Sequence, residues 1–300
     1  MGSQSRIDTE ICGGCGLCVA VCPAHIPELI ATAGSDQVAR FRPERLHACT
    51  RCGHCMAICP TEAVQVEGLT YGEDLFNLPP VGMAASDLSG FLAHRRSVRV
   101  VQDRPVPRQV LQEIVDAMAM APMGFPPHKT EVTVVQSRGT IEEALPLIVQ
   151  RYEDLAAWMR NPFIRLMIRR RTSAAEYRSL SQHVLPSLAY RLPDMKAGQG
   201  DTLTRGAPAM LLLHASNQAE SAEADAWIAL TYGLLAAHSL GLGATALSLI
   251  PPVVDRTPKL RELVRIPAEN RVLACMVLGY ARHRFQRGIR RELAAVHWVQ

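Results

Sequence analysis

The 300-residue chain lacks a GxGxxG turn anywhere between its strand and helix patterns, so it offers no Rossmann-type cradle for a dinucleotide. Met1–Glu10 is polar and has no apolar h-region, which sets the expectation of a cytoplasmic protein. No helix-turn-helix pattern follows residue 90, as a sensor with a DNA-reading output would need. Long basic or apolar tails, which would mark a subunit of a larger complex, are absent too. Charge is missing from one place: Ala226–Ile250 contains no Asp, Glu, Lys or Arg. Hydropathy alone reads that stretch as a membrane span. Thr231, Tyr232, His238 and Ser239 interrupt it, however, Gly241-Leu242-Gly243 breaks it and Pro251-Pro252 ends it. The expectation is a helix of about 15 residues, Ala226–Leu240, buried on all sides and followed by a glycine turn and a strand, with no membrane partner.

What the chain does have is cysteine. Eight of its nine cysteines form two copies of one run, Cys12-x2-Cys15-x2-Cys18-x3-Cys22-Pro23 and Cys49-x2-Cys52-x2-Cys55-x3-Cys59-Pro60. This is the spacing of two 4Fe–4S clusters in which the fourth cysteine of each run ligates the other run's cluster. Cluster one then takes Cys12, Cys15, Cys18 and Cys59; cluster two takes Cys49, Cys52, Cys55 and Cys22. Zinc is the rival, since two C-x2-C pairs make a ribbon, but four cysteines per run and the closing Cys-Pro oppose it. Disulfides do not suit a chain without an export signal. Cys275, inside Val272–Leu278, reads as a buried core thiol. The formal charge of +4 counts ligand cysteines as neutral. With about −2 on each oxidised cluster the holoprotein sits near zero, and a nucleic-acid partner loses its support.

Length suits two domains. The cluster module needs about the first 70 residues, and residues 71–90, with Pro79-Pro80 and Gly82, read as a linker. Beyond it the patterns predict helices over Leu88–Arg95, Arg108–Ala121, Thr140–Met159 and Pro162–Ala189. Strands are predicted over Glu131–Gln136, Ala209–Ala215, Ala244–Leu249 and Val272–Leu278, and a polar loop over Asp194–Thr204. Asp225 is expected to cap the uncharged helix.

Four stretches in order carry a family resemblance. Arg95-Arg96-Ser97-Val98-Arg99 through Asp103-Arg104-Pro105-Val106-Pro107 resembles the opening motif of the nitroreductase-type FMN flavoproteins. Ala121-Pro122-Met123-Gly124 resembles that family's loop over the flavin, Leu234–Thr245 its helix and glycine turn, and Leu278-Gly279-Tyr280 with trailing arginines its C-terminal end. The N-terminal two-cluster ferredoxin-type domain matches a branch of that family. The resemblance implies an α+β fold with domains 1–70 (ferredoxin-like) and 91–300 (FMN-binding), and a homodimer with flavin at the interface.

It also implies roles. Arg95, Arg96 and Ser97 would meet the FMN phosphate, closed off by Arg287 and Arg290 or Arg291, since arginine grips phosphate with forked hydrogen bonds. Arg99 would meet the flavin N1/O2 edge, where a cation stabilises the charge of reduction. Pro122, Met123 and Gly124 would lie over the ring, and Ala246-Leu247-Ser248-Leu249 would offer backbone N–H groups to N5 and O4. The loop departs from relatives that carry an asparagine. His128 stands there as a possible proton donor or substrate contact, with Tyr177 and His183 next; His238 reads as a core histidine. The implied activity is that of an oxidoreductase carrying electrons from a low-potential, ferredoxin-like donor through two clusters to FMN, and on to a nitroaromatic, quinone or activated alkene. The alternatives are oxidation of an organic substrate or NAD(P)H with electrons leaving through the clusters, and a non-catalytic electron-transfer subunit. Without a Rossmann motif, any nicotinamide would have to stack on the flavin itself.

Overall fold

A computed structural model of the chain describes residues 5–32, 37–80, 82–126, 128–197 and 200–299. The first residues of the polar N-terminus, Val81 of the linker, Pro127 of the loop after Gly124, and Gly198 and Gln199 of the polar loop lie outside the described residues. The chain divides into two compact units, residues 1–83 with 125–128, and residues 84–124 with 129–300.

In the first unit β1 (Arg6–Ile7), α1 (Leu17–Val21), β2 (Pro27–Ala31), β3 (Gln37–Phe41), α2 (His54–Ala57) and β4 (Val64–Gln65) follow in order. β1 pairs antiparallel with β4, and β2 with β3. Each cysteine run turns into its helix through a left-handed glycine, Gly16 (φ 72°) and Gly53 (φ 73°), where a side chain would be strained. Cys18, Ala39, Met56, Val64 and Val66 form a small core, with Cys12, Cys49, Cys55 and Cys59 packed on it. The stretch 71–90 is more than a connection. The Tyr71 hydroxyl donates to the Met56 carbonyl at 3.2 Å, and α3 (Ala85–His94) starts before the predicted Leu88.

The second unit continues with α4 (Arg108–Ala119), β5 (Glu131–Val135), α5 (Arg138–Arg160), α6 (Pro162–Arg171), α7 (Ala174–Ser179), a π-turn (Leu180–Val184), α8 (Leu185–Lys196), β6 (Ala209–Ser216), α9 (Ala222–Ser239), β7 (Gly243–Ala246), α10 (Pro251–Asp255), α11 (Pro258–Leu263) and β8 (Asn270–Gly279). Its sheet has the order β5-β6-β8-β7, with every neighbouring pair antiparallel. The central strands are apolar along nearly their whole length because both faces are covered. Successive side chains point to opposite faces. Met210, Leu212, Cys275 and Val277 join a cluster with Ile141, Ile148 and Leu188. Leu211, Leu213, Met276 and Leu278 join another with Ile114, Met118 and Leu230. Burial pushes the Cys275 thiol well above its ordinary pKa, which fits an inert core residue.

Two expectations about the uncharged helix change. α9 buries Ala226, Ala229, Leu230, Gly233 and Ala237 on one face, while Trp227, Ile228 and Tyr232 on the other are 37–39% exposed. It is apolar all round but not buried all round. Asp225 sits in its first turn, buried, and its carboxylate accepts from the Gly124 N–H at 2.9 Å. It ties a loop to the helix rather than capping it. No helix among the described residues is long and apolar enough to cross a membrane.

A polar knot crosses the sheet. The Asn270 amide donates to Glu131 Oε1 (2.7 Å) and faces Nδ1 of buried His214 (2.8 Å); His214 Nε2 faces Thr133 Oγ1 (3.0 Å). With Asn270 donating on both sides, Nδ1 is the acceptor and the imidazole proton sits on Nε2. Burial holds the His214 pKa below 6.5; Glu131 works against this and Arg261 with it. The unfolded chain therefore binds the proton first as pH falls, so stability declines below pH 6.5 and levels off once the folded pKa is passed. Urea unfolding at pH 7.5 and 5.5 should show wild type losing up to about 1.4 kcal/mol per pH unit more than His214→Phe within that window.

Candidate functional site

The cysteines meet as their spacing requires. Cys12, Cys15, Cys18 and Cys59 line a cavity of about 200 Å³, and Cys22, Cys49, Cys52 and Cys55 line one of about 220 Å³. Each group joins three cysteines of one run to the fourth of the other. Among the described residues no His, Cys, Asp or Glu group converges closely enough for a single metal ion. Four sulfurs standing around a cavity suit a multi-iron cubane and not one zinc ion. As free thiols two of them resist ionisation: burial, then the charges of Cys49, Cys52 and Cys22, push Cys55 up to about 12. Burial and Cys12, with smaller contributions from Cys59 and Cys15, raise Cys18. Cationic iron is what would hold such a set as thiolates.

The hydrogen bonds to sulfur come from residues that sequence reasoning did not single out. Ala39 N–H donates to Cys12 Sγ (3.3 Å) and Ile26 N–H to Cys22 Sγ (3.5 Å). The Thr61 hydroxyl lies 3.7 Å from Cys59 Sγ. Burial would raise Cys59, but the Thr61 backbone and hydroxyl, with Val64 and Ala63 N–H groups, bring it below the ordinary thiol value. The first run has Ala24 where the second has Thr61, a difference visible in the sequence.

In the second unit the arginine motif runs along the free edge of β7. Ser97 bridges Ala244 in parallel, and Val98 N–H donates to the Ala244 carbonyl at 3.1 Å. Gly243 is required there, because a Cβ would fall 2.5 Å from Val98 Cγ1. Arg95 and Arg96 line a cavity of about 440 Å³ with Gln102, His238, Tyr280 and Arg284. Burial lowers the Arg95 pKa, and the charges of Arg96 and Arg291 add to this. Arg96 Nη1 donates to the Arg95 carbonyl at 2.7 Å, while its buried Nε has no partner among the described residues. A crowd of guanidiniums around an open cavity, with an orphaned donor, fits a phosphate dianion.

The remaining expected residues are spread out. The C-terminal arginines, Arg287 and Arg290 included, are all exposed; of the expected ones Arg291 acts on Arg95, and Arg284, which was not expected, lines the cavity. Arg99 is absent from that cavity, and its charge bears on Arg205. Pro122 is exposed and Met123 partly so, and the Gly124 N–H is committed to Asp225. Leu247 cannot offer its N–H to a flavin: it is buried, and the group donates to the Cys275 carbonyl at 2.8 Å, continuing the sheet. Ser248 is exposed, and the Leu249 carbonyl accepts from the Tyr152 hydroxyl at 2.5 Å. Tyr152, 97 residues away in sequence, thus fixes this segment; burial, countered by Arg256, raises its pKa.

His128 is half-buried and falls within the first unit. Tyr177 lies on α7 beneath the Arg169 guanidinium, 6.0 Å from its ring centroid, and His183 is exposed on the π-turn. No hydrogen bond joins Tyr177 to His183 among the described residues. His238 is not a core histidine. Its ring lies 4.8 Å from that of Phe91, tilted by 42°, and lines the arginine cavity, where burial, Arg95 and His94 lower its pKa.

Residues 92–280 match the nitroreductase family, and residues 11–64 match a 4Fe-4S dicluster domain. Among solved structures, a nitroreductase with bound FMN from Bacteroides fragilis NCTC 9343 superposes with a TM-score of 0.52 at 19% identity, covering 71% of this chain and 99% of its own. One with bound FMN from Desulfitobacterium hafniense DCB-2 gives 0.51 at 19%, covering 73% and 100%. An FMN-dependent nitroreductase from Clostridium difficile R20291 gives 0.51 at 15%, covering 70% and 98%. At these identities the likeness is one of fold. Among curated proteins nothing matches the chain.

Proposed function

The chain belongs to the nitroreductase family, and from that membership we propose an FMN-dependent oxidoreductase that takes electrons from a low-potential, ferredoxin-like donor through two 4Fe–4S clusters and reduces a small organic acceptor. When bound, the clusters supply single-electron transfer and FMN supplies two-electron chemistry. The observation that carries the reading is the pairing, in one chain, of two four-cysteine cavities with a cavity lined by Arg95, Arg96 and Arg284, none of which forms an ion pair among the described residues. Cys12, Cys15, Cys18 and Cys59 would hold one cluster and Cys22, Cys49, Cys52 and Cys55 the other. Arg95 and Arg96, with Arg284 and Arg291, would hold the phosphate, and Ser97 would lie beside them. Arg99, Pro122, Met123, Gly124, Ser248 and Leu249 would meet the flavin ring. His128, Tyr177 and His183 remain the candidates for contact with the acceptor.

A homodimer belongs to this reading. The exposed Trp227, Ile228 and Tyr232 give α9 an apolar outer face, and Phe285, Ile289, Leu293 and Trp298 are exposed beyond β8. Covering such surface with a second copy removes it from water.

Anaerobic reduction of the reconstituted protein tests the direction of flow. Flavin bleaching is followed with reduced ferredoxin, then with NADH and NADPH. Rapid bleaching by ferredoxin alone is the expected result. Rapid bleaching by NAD(P)H with none by ferredoxin would make the flavin the entry point and the clusters the exit, and would sink the proposed direction.

A further inference from the structure

The two cysteine runs of the first unit end on one repeated backbone. In each, a left-handed residue stands three places after the last cysteine: His25 (φ 49°) after Cys22 and Glu62 (φ 55°) after Cys59. Each donates its N–H back to that cysteine's carbonyl, at 3.1 Å and 3.4 Å. Left-handed backbone costs a residue other than glycine energy, so its occurrence at both places marks a shape that the fold imposes. Ala24 and Thr61 therefore occupy equivalent places. Each stands two residues after the cysteine that crosses to the other run's cavity.

One of the two carries a donor. Thr61 lines the cavity of Cys12, Cys15, Cys18 and Cys59, and its Oγ1 stands 3.7 Å from Cys59 Sγ, within reach of so large an acceptor atom. A ligating thiolate has no proton to give, so the hydroxyl is the donor. Ala24 lines the cavity of Cys22, Cys49, Cys52 and Cys55 and has no such group. Thr50, Arg51 and His54 also line that second cavity, so the two sites differ in more than this hydroxyl, and its effect is read on cluster one alone.

We propose that Thr61 tunes cluster one, donating its hydroxyl hydrogen to the Cys59 sulfur and so raising that cluster's reduction potential. Hydrogen bonds to the sulfurs are among the influences that set such potentials. One electron from the low-potential donor takes the cluster and its four thiolates from about −2 to about −3 in charge. Thr61 keeps its proton on Oγ1 throughout. A donor hydrogen bond strengthens as its acceptor gains negative charge, so the hydroxyl favours the reduced state over the oxidised one. Cluster one then accepts an electron more readily than it would with alanine at this place. The role rests on the clusters of the proposed function and owes nothing to the flavin.

Thr61→Val removes the hydroxyl and keeps the side chain's shape, at an exposed position outside the core. In the full chain with clusters, electron paramagnetic resonance followed against applied potential gives the midpoint of each cluster. Cluster one is the signal that Cys59→Ser removes. Thr61→Val should hold about eight iron atoms, as wild type does. Its cluster-one reduction equilibrium should fall by about three- to tenfold, a tenfold fall being about 59 mV for one electron. Cluster two should not move. Thr61→Ser, which keeps the hydroxyl, should stay near wild type, and Ala24→Thr should raise the midpoint of cluster two. An equal fall in Thr61→Ser would make the effect one of packing and overturn the role, as would a fall confined to cluster two. Full iron with an unmoved cluster-one midpoint in Thr61→Val would overturn the role alone. A wild-type chain that takes up no iron would overturn it together with the cluster reading.

Discussion

Cys52→Ser should cut the iron content from about eight to about four atoms per chain, leave FMN bound, and stop reduction of the flavin by ferredoxin. Cys52 shares its cavity with Cys49, Cys55 and Cys22. A serine oxygen there is a harder, less readily ionised ligand than a thiolate, and soft thiolates are what iron–sulfur clusters select. The crossed arrangement makes the sharper test. Cys22→Ser, in the other run, should remove the same electron paramagnetic resonance signal as Cys52→Ser, whereas Cys59→Ser should remove the signal belonging to Cys12, Cys15 and Cys18. Two intact cluster signals in Cys52→Ser would refute the ligand map. So would Cys22→Ser and Cys59→Ser disturbing the same cluster.

The grouping of the cysteines around two cavities was legible in advance because each run's spacing keeps three cysteines together and sends the fourth across to the other run's three. The apolar strands were legible for a related reason: β6 and β8 are covered on both faces, so alternation disappears and only a hydrophobic run remains. α9 was legible as a helix but not in its burial, since a helix apolar all round has no periodicity to tell the face packed on the sheet from the one left exposed. Its outward Trp227, Ile228 and Tyr232 therefore came as a correction. The placement of single side chains depended on contacts distant in sequence. Leu247 lost its place as a flavin donor to the Cys275 carbonyl, and Tyr152 and Asp225 act through partners that no local pattern announces. Among the C-terminal arginines the motif fixed only the neighbourhood. Which of them reaches the cavity depends on the irregular path after Gly279, and Arg284 does so where Arg287 was expected.

Arg95→Ala should weaken FMN binding by about ten- to a hundredfold while leaving both clusters in place, the loss expected when a guanidinium–phosphate hydrogen bond is removed. The flavin-free chain should respond with the opposite sign. Arg95 is held against Arg96 and Arg291, and the three repel one another without a counter-ion among the described residues. Removing one relieves that repulsion, so the melting temperature without FMN should be unchanged or higher, and the rise that FMN gives wild type should shrink. A merely structural arginine would behave otherwise, with its loss lowering the melting temperature in both states and leaving FMN affinity alone. Fluorescence titration of FMN together with melting curves at saturating and zero FMN separates the two. Wild-type FMN affinity in Arg95→Ala would place the phosphate away from this cavity, and the roles proposed for Arg96, Arg284 and Arg291 would fall with it.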